Sequence, residues 1–204
     1  MNIYLIRHAQ TAKNRQKLLQ GRSDEPLNET GEEQSRKAGV FFRAQGIHFD
    51  RIWSSPLVRS VRTAQIVGEC TQEGCPGIFL DDRLLEMDYG PYEGISLENP
   101  PKEIIRFFSD FVHQPAPAGM ESLDQVKQRL AGFLDDIKEE PCQNVLISLH
   151  AISMKGALEV LTPDAGGAYW SKYIGNCSVY RTEYSGGSFS VPEEIFALAY
   201  EPGV

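Results

Sequence analysis

Two stretches, NIYLIRHAQT at residues 2–11 and NVLISLHA at 144–151, follow one plan: an apolar run of strand length, a histidine at its end, and helix-forming residues beyond. Each run is short and continuously apolar, so it reads as a buried strand. RIWSS (51–55) and GIFLDD (77–82) read as further strands. Between them lie helical patterns. Thr30 with Glu33 makes a capping box opening a helix to about Ala44, and Gly46 is placed to end it. Residues 55–70 put Leu57, Val61, Ala64 and Val67 on one face. Ser122 with Gln125 opens a helix carrying Leu123, Val126, Leu130, Phe133, Leu134 and Ile137, with Pro141 beyond its end. Residues 151–161 follow as another helix. Alternating strands and helices predict an α/β fold, a three-layer α/β/α sandwich on a mostly parallel sheet. CSVYRTEY (177–184), SFSV (188–191) and FALAY (196–200) supply an antiparallel edge, with a Gly-Gly turn at 186–187. No linker divides the chain, so residues 1–204 read as a single domain.

With 204 residues and an ordinary apolar fraction, the chain can bury a core. A formal charge of −8 argues against nucleic acid as a partner, but not against a small anion in a locally positive pocket. Cys70, Cys75, Cys142 and Cys177 lack the spacing of a zinc site. No stretch has the length of a membrane span, and Arg7 interrupts the only leader-like run. The expectation is a cytoplasmic protein with free thiols, needing no metal or cofactor. Monomer and homodimer both remain open.

A lone histidine at a strand end is most simply a hydrogen-bonded rim residue. Two in matching contexts, one beside an arginine, point to a site instead. In open α/β sheets, ligands sit at the carboxyl ends of strands. If the two strands are neighbours, His8 and His150 face one crevice. Arg59 falls in the first turn of the helix after RIWSS, where backbone N–H groups favour an anion, and Arg62 can share its face. Glu86, in LLEMDYGPYEG (84–94), supplies a carboxylate, while Asp88 and Glu93 read as surface loop acids. His48 and His113 have no comparable setting.

Two histidines, two arginines and one carboxylate suit phosphoryl transfer through a phosphohistidine. The nucleophile must be a neutral imidazole, and flanking guanidinium groups disfavour its protonated form. Guanidinium groups also stabilise the charge on the transferred phosphoryl oxygens. A carboxylic acid beside a phosphate dianion keeps its proton for the leaving alkoxide and then, deprotonated, activates water.

LIRHAQTAKN (5–14), GRSDEPLNETGEEQ (21–34), SSPLVRSVRTAQ (54–65), LLEMDYGPYEG, GMES (119–122) and LISLHA (146–151) together resemble the blocks of the histidine phosphatase superfamily, the phosphoglycerate mutase-like fold, from Ile3 to about Val179. The resemblance implies that His8 is the phosphorylated nucleophile. It implies that Arg7 and Arg59 bind phosphate, that His150 is the second pocket histidine, and that Glu86 is the proton donor. It places Asn14, Gln20, Gly21 and Ala151 against the phosphoryl group or the rest of the substrate, with Glu121 and Ser122 in support. Ala9 and Ala151 stand where relatives usually carry glycine, which raises the question of whether these backbones need positive φ.

The family includes mutases as well as phosphatases. The mutases carry a longer insertion with adjacent arginines for a substrate carboxylate. Here residues 95–119 are short and offer only Lys102 and Arg106. Water is therefore the expected acceptor, and a small phosphorylated molecule the expected substrate. A cofactor-dependent phosphoglycerate mutase-type isomerase and a non-catalytic phospho-ligand binding module are the alternatives. Phe107, Phe108 and Phe111 form either an apolar lid over the leaving group or the core face of a short helix at 102–112.

Overall fold

The computed structural model describes residues 1–199. β1 (Asn2–Arg7) and β4 (Asn144–Leu149) are parallel neighbours, with Ile3 opposite Val145 and Arg7 opposite Leu149. β4 also borders β2 (Arg51–Ser54), which borders β3 (Ile78–Leu80), both parallel. On its other side β1 takes β5 (Val179–Ser185) antiparallel, and β5 takes β6 (Ser188–Phe189) and β7 (Glu193–Phe196). The sheet order is β3-β2-β4-β1-β5-β6, with β7 also on β5. The antiparallel part is thus three strands. The last strand starts upstream of FALAY and shares only Phe196 with it, because Ile195 and Phe196 are the residues packed against the core. Tyr200 lies outside the described residues.

Helices cover both faces. α2 (Glu29–Ala44) and α3 (Val58–Thr71) lay Ala38, Phe42, Ala64 and Val67 over Tyr4, Ile6, Ile52 and Leu146. α5 (Leu123–Ile137) and α6 (Ala151–Leu161) lay Val126, Leu130, Phe133, Met154 and Leu158 over Ile3, Leu5, Val145, Ile147 and Leu149. Successive strand residues point to opposite faces, so a strand covered on both sides is apolar at nearly every position. This is why β1 and β4 read as continuous runs. The buried Ser148 of β4 is accommodated by donating Oγ to the Ser60 carbonyl at 2.9 Å.

Three local expectations change. α2 is capped by Asn28, whose Oδ1 accepts the Gly31 N–H at 2.8 Å, and Thr30 lies inside the first turn. Asn28 wins because it is also tied to Gln10, through N–H to the Gln10 carbonyl (3.1 Å) and Nδ2 to Oε1 (2.9 Å). A β-carbon on Gly31 would collide with the Gln10 carbonyl, so the helix start is fitted to the loop after β1. α4 (Lys102–Ser109) ends before Val112, because Asp110 turns the chain and binds His113. Phe107 and Phe111 are core residues with ring centroids 4.9 Å apart, and Phe108 packs against them. They form a core face rather than a lid. A one-turn helix, α1 (Ala12–Arg15), occupies what reads as loop.

Candidate active site

His8 and His150 each follow the last residue of adjacent parallel strands, and their ring centroids lie 5.0 Å apart. The His8 N–H continues the ladder to the Leu149 carbonyl at 2.8 Å, which fixes the ring at the sheet edge. His8 Nδ1 lies 2.7 Å from the Ala9 carbonyl oxygen. A carbonyl can only accept, so Nδ1 carries the proton and Nε2 the lone pair. Nε2 has no hydrogen-bond partner among the described residues. His150 has the other tautomer. Its Nδ1 accepts from Arg59 Nε at 3.2 Å, so its proton is on Nε2, which donates to Ser55 Oγ at 2.8 Å.

Both imidazoles are held well below the usual histidine range. For His8 the causes are burial first, then the charges of Arg59 and Arg7. For His150 they are burial, then Arg59 and His8. Both are neutral at physiological pH.

The two arginines are used differently. Arg59, with no solvent exposure, donates Nη1 to the Ser23 carbonyl (2.7 Å) and Nη2 to the Gly21 carbonyl (2.6 Å), besides Nε to His150. Burial pushes it down to about 10, with Glu86 opposing, so it stays charged. Arg7 donates Nη1 to the Ile174 carbonyl at 2.6 Å, while its Nε is buried without a partner among the described residues. Arg7 is the arginine with donors to spare.

Glu86 is buried and spans the N-terminus of α6. Oε1 accepts from Met87 N (2.9 Å), Ile152 N (3.1 Å) and Ser153 N (3.0 Å), and among the described residues Oε2 accepts only from Ile152 N (3.1 Å). Helix N–H groups are the natural partners of a carboxylate, and here they aim it at the edge shared with His8 and His150. Ala151 is the first residue of that helix.

Asn14 and Thr11 cap α1 reciprocally. Gln20 Oε1 accepts from Thr11 Oγ1 (2.8 Å) and Asn14 Nδ2 (3.4 Å), leaving the buried Gln20 Nε2 without a partner among the described residues. Gly21 N–H goes to Glu93. Arg62 is not part of this group. It pairs with Glu32 on α2 at 3.1 Å and is half-exposed. Neither Ala9 nor Ala151 has positive φ, so neither position needs glycine for its backbone. Glu121 ties Arg129 (2.7 Å) and Arg22 (3.4 Å) together beside the site, and Ser122 caps α5.

Sequence reasoning missed four supports. Glu93 is not a surface acid. It accepts from the N–H groups of Gly21 (3.0 Å), Arg22 (3.1 Å) and Ser23 (3.3 Å) and from Ser23 Oγ (2.5 Å). The carbonyls of that same loop hold Arg59. Thr63 Oγ1 accepts the Ala9 N–H at 3.0 Å, Asn176 Nδ2 donates to the His8 carbonyl at 2.9 Å, and Ser55 takes the His150 proton. Only Ser55 had a signal, its place at a strand end.

Among the described residues, Arg7 Nε and Gln20 Nε2 are buried donors without a partner, the kind of group that phosphate oxygens accept from. Among the described residues, no three His, Cys, Asp or Glu side chains are grouped to hold a metal ion. A separate cavity of about 870 Å³, lined by Phe111, Leu123, Lys127, Glu159 and Trp170 among others, contains none of these site residues.

A family model, histidine phosphatase superfamily (branch 1), matches residues 3–193. The chain is 35% identical over 166 residues to an uncharacterized phosphatase, PhoE, of Bacillus subtilis, covering 81% of this chain and 78% of that one. It is 30% identical over 189 residues to a probable phosphoglycerate mutase, GpmB, of Cronobacter sakazakii, covering 90% and 85%. The structure of Bacillus stearothermophilus YhfR matches with a TM-score of 0.80 at 28% identity, covering 93% of this chain and 94% of the other.

Proposed function

This chain belongs to the histidine phosphatase superfamily, and on that basis we propose that it is a phosphoric monoester hydrolase of the histidine acid phosphatase type, acting on a small phosphorylated molecule. The observation that carries this reading is His8: a neutral imidazole, anchored through Nδ1, with Nε2 unpartnered among the described residues and the charges of Arg59 and Arg7 acting on the ring. Nε2 attacks phosphorus in line. Arg7 Nε and the Gln20 amide donate to the equatorial oxygens, where charge accumulates. Glu86 gives a proton to the leaving ester oxygen, and Oε2, the less engaged oxygen, is the one to carry it. In the second half Glu86 takes a proton from water, which attacks phosphohistidine. Phosphate leaves, His8 Nε2 regains its lone pair, and Glu86 is protonated again.

p-Nitrophenyl phosphate tests the reading. Turnover with acid-labile ³²P on His8 is expected. No turnover from acid to neutral pH, in EDTA or with added metal, rejects it. Conversion of 3-phosphoglycerate to 2-phosphoglycerate that depends on 2,3-bisphosphoglycerate supports the mutase instead.

A further inference from the structure

Lys155 is a half-buried cation beside the site for which the mechanism above has no use. It lies on α6 three residues beyond Ile152, whose N–H holds Glu86. Helical side chains lean toward the N-terminus of their helix, so Lys155 reaches back over the Ala151–Ile152 turn. Its Nζ donates to the Trp170 carbonyl at 2.7 Å and lies 5.1 Å from the centroid of the Phe111 ring. No carboxylate lies within ion-pair distance of it among the described residues. An ammonium has three N–H donors, and the carbonyl takes one. The charges of Arg7 and Glu86, both members of the site, act on Lys155. Burial and the Arg7 charge push it down to about 8, with Glu86 opposing, so it remains mostly charged at neutral pH.

Even a half-buried ammonium without a counter-ion is costly unless something else needs it. We propose that Lys155 binds a carboxylate on the leaving group, so that the preferred substrates are small phosphomonoesters of acids. This inference rests on the hydrolase reading of the site. The sequence between residues 95 and 119 lacks an arginine pair for such a group, and α6 supplies the charge instead. A strut tying α6 to Trp170 would depend on Lys155 equally for every ester. A subsite depends on it only when the carboxylate is present.

The test is a matched pair, 3-phosphoglycerate and glycerol 3-phosphate, which differ in a carboxylate against a hydroxymethyl group. The wild-type protein should favour 3-phosphoglycerate in kcat/KM. Lys155→Met should lower that preference roughly ten-fold, as expected for one hydrogen bond to a charged group. Lys155→Arg should restore part of it, and p-nitrophenyl phosphate should change less than about three-fold. Calorimetric binding of the same pair to His8→Ala protein, with and without Lys155→Met, gives the preference without turnover. Equal losses for all three esters, or a wild-type preference near one, overturn the subsite. A Lys155-dependent binding preference without turnover of any ester supports the subsite and overturns the hydrolase reading.

Discussion

The ends of β1 and β4 match in local sequence, yet they deliver two different histidines. At His8 a backbone carbonyl holds Nδ1 and leaves Nε2 open. At His150 both ring nitrogens are engaged, by Arg59 and by Ser55. Strand position brings an imidazole to the crevice, and the partner of its other nitrogen decides what that imidazole can do. An open lone pair suits a nucleophile. An oriented N–H suits a donor that can turn from Ser55 to a phosphoryl oxygen.

The contrast breaks most sharply under alanine substitution. His8→Ala should lower kcat by about 10,000-fold or more and abolish ³²P labelling. His150→Ala should lower kcat by about 100- to 1,000-fold, the usual effect of losing one preorganised donor, with labelling retained. Labelling that survives His8→Ala, or disappears only with His150→Ala, would exchange the two roles. Glu86→Gln comes next. For alkyl phosphates kcat should fall roughly 100- to 10,000-fold. For p-nitrophenyl phosphate, whose leaving group needs no proton, the fall should be under about ten-fold. Equal losses would remove the acid role.

Ser55→Ala sharpens the comparison more gently. It removes the acceptor of the His150 proton and touches nothing at His8. The loss of one neutral hydrogen bond predicts a fall in kcat of about two- to ten-fold. No effect on kcat would mean that His150 is oriented by Arg59 alone.

The sequence made His8, Arg7, Arg59 and His150 legible because each sits where a regular element starts or ends, and those boundaries follow from periodicity, whereas Glu86 lies in irregular chain and was legible through the motif LLEMDYGPYEG. The structure gathers all five at one edge. What holds them was hidden for a physical reason. Arg7 is anchored by the Ile174 carbonyl and Arg59 by the carbonyls of Gly21 and Ser23, groups that every residue carries and no sequence pattern marks. Glu93 read as a surface acid because its neighbours are turn residues, and its partners are backbone N–H groups some 70 positions earlier. Thr30 lost the capping role to Asn28 because a distant contact with Gln10 outweighed a local motif.

The smallest effect tests what the two histidines share. Both are held neutral by burial and by arginine charge. In the unfolded chain each would titrate near 6.5. Above that pH neither state binds a proton at these sites, and the pair adds no pH dependence. As pH falls below about 6.5 the unfolded chain takes up protons that the folded chain refuses, so stability drops until the depressed folded values are reached. The pair contributes a slope of up to about 2.7 kcal/mol per pH unit, half from each imidazole. Urea unfolding between about pH 6.5 and 5 isolates this contribution, because the window lies above the ordinary range of carboxylates. His8→Gln should remove about half of the slope, and His150→Gln the same. Removing Ser55 should leave it nearly unchanged, because the serine adds no charge. If His8→Gln flattens the profile and His150→Gln does not, the second imidazole is already protonated in the folded protein, and its place as a neutral donor between Arg59 and Ser55 fails.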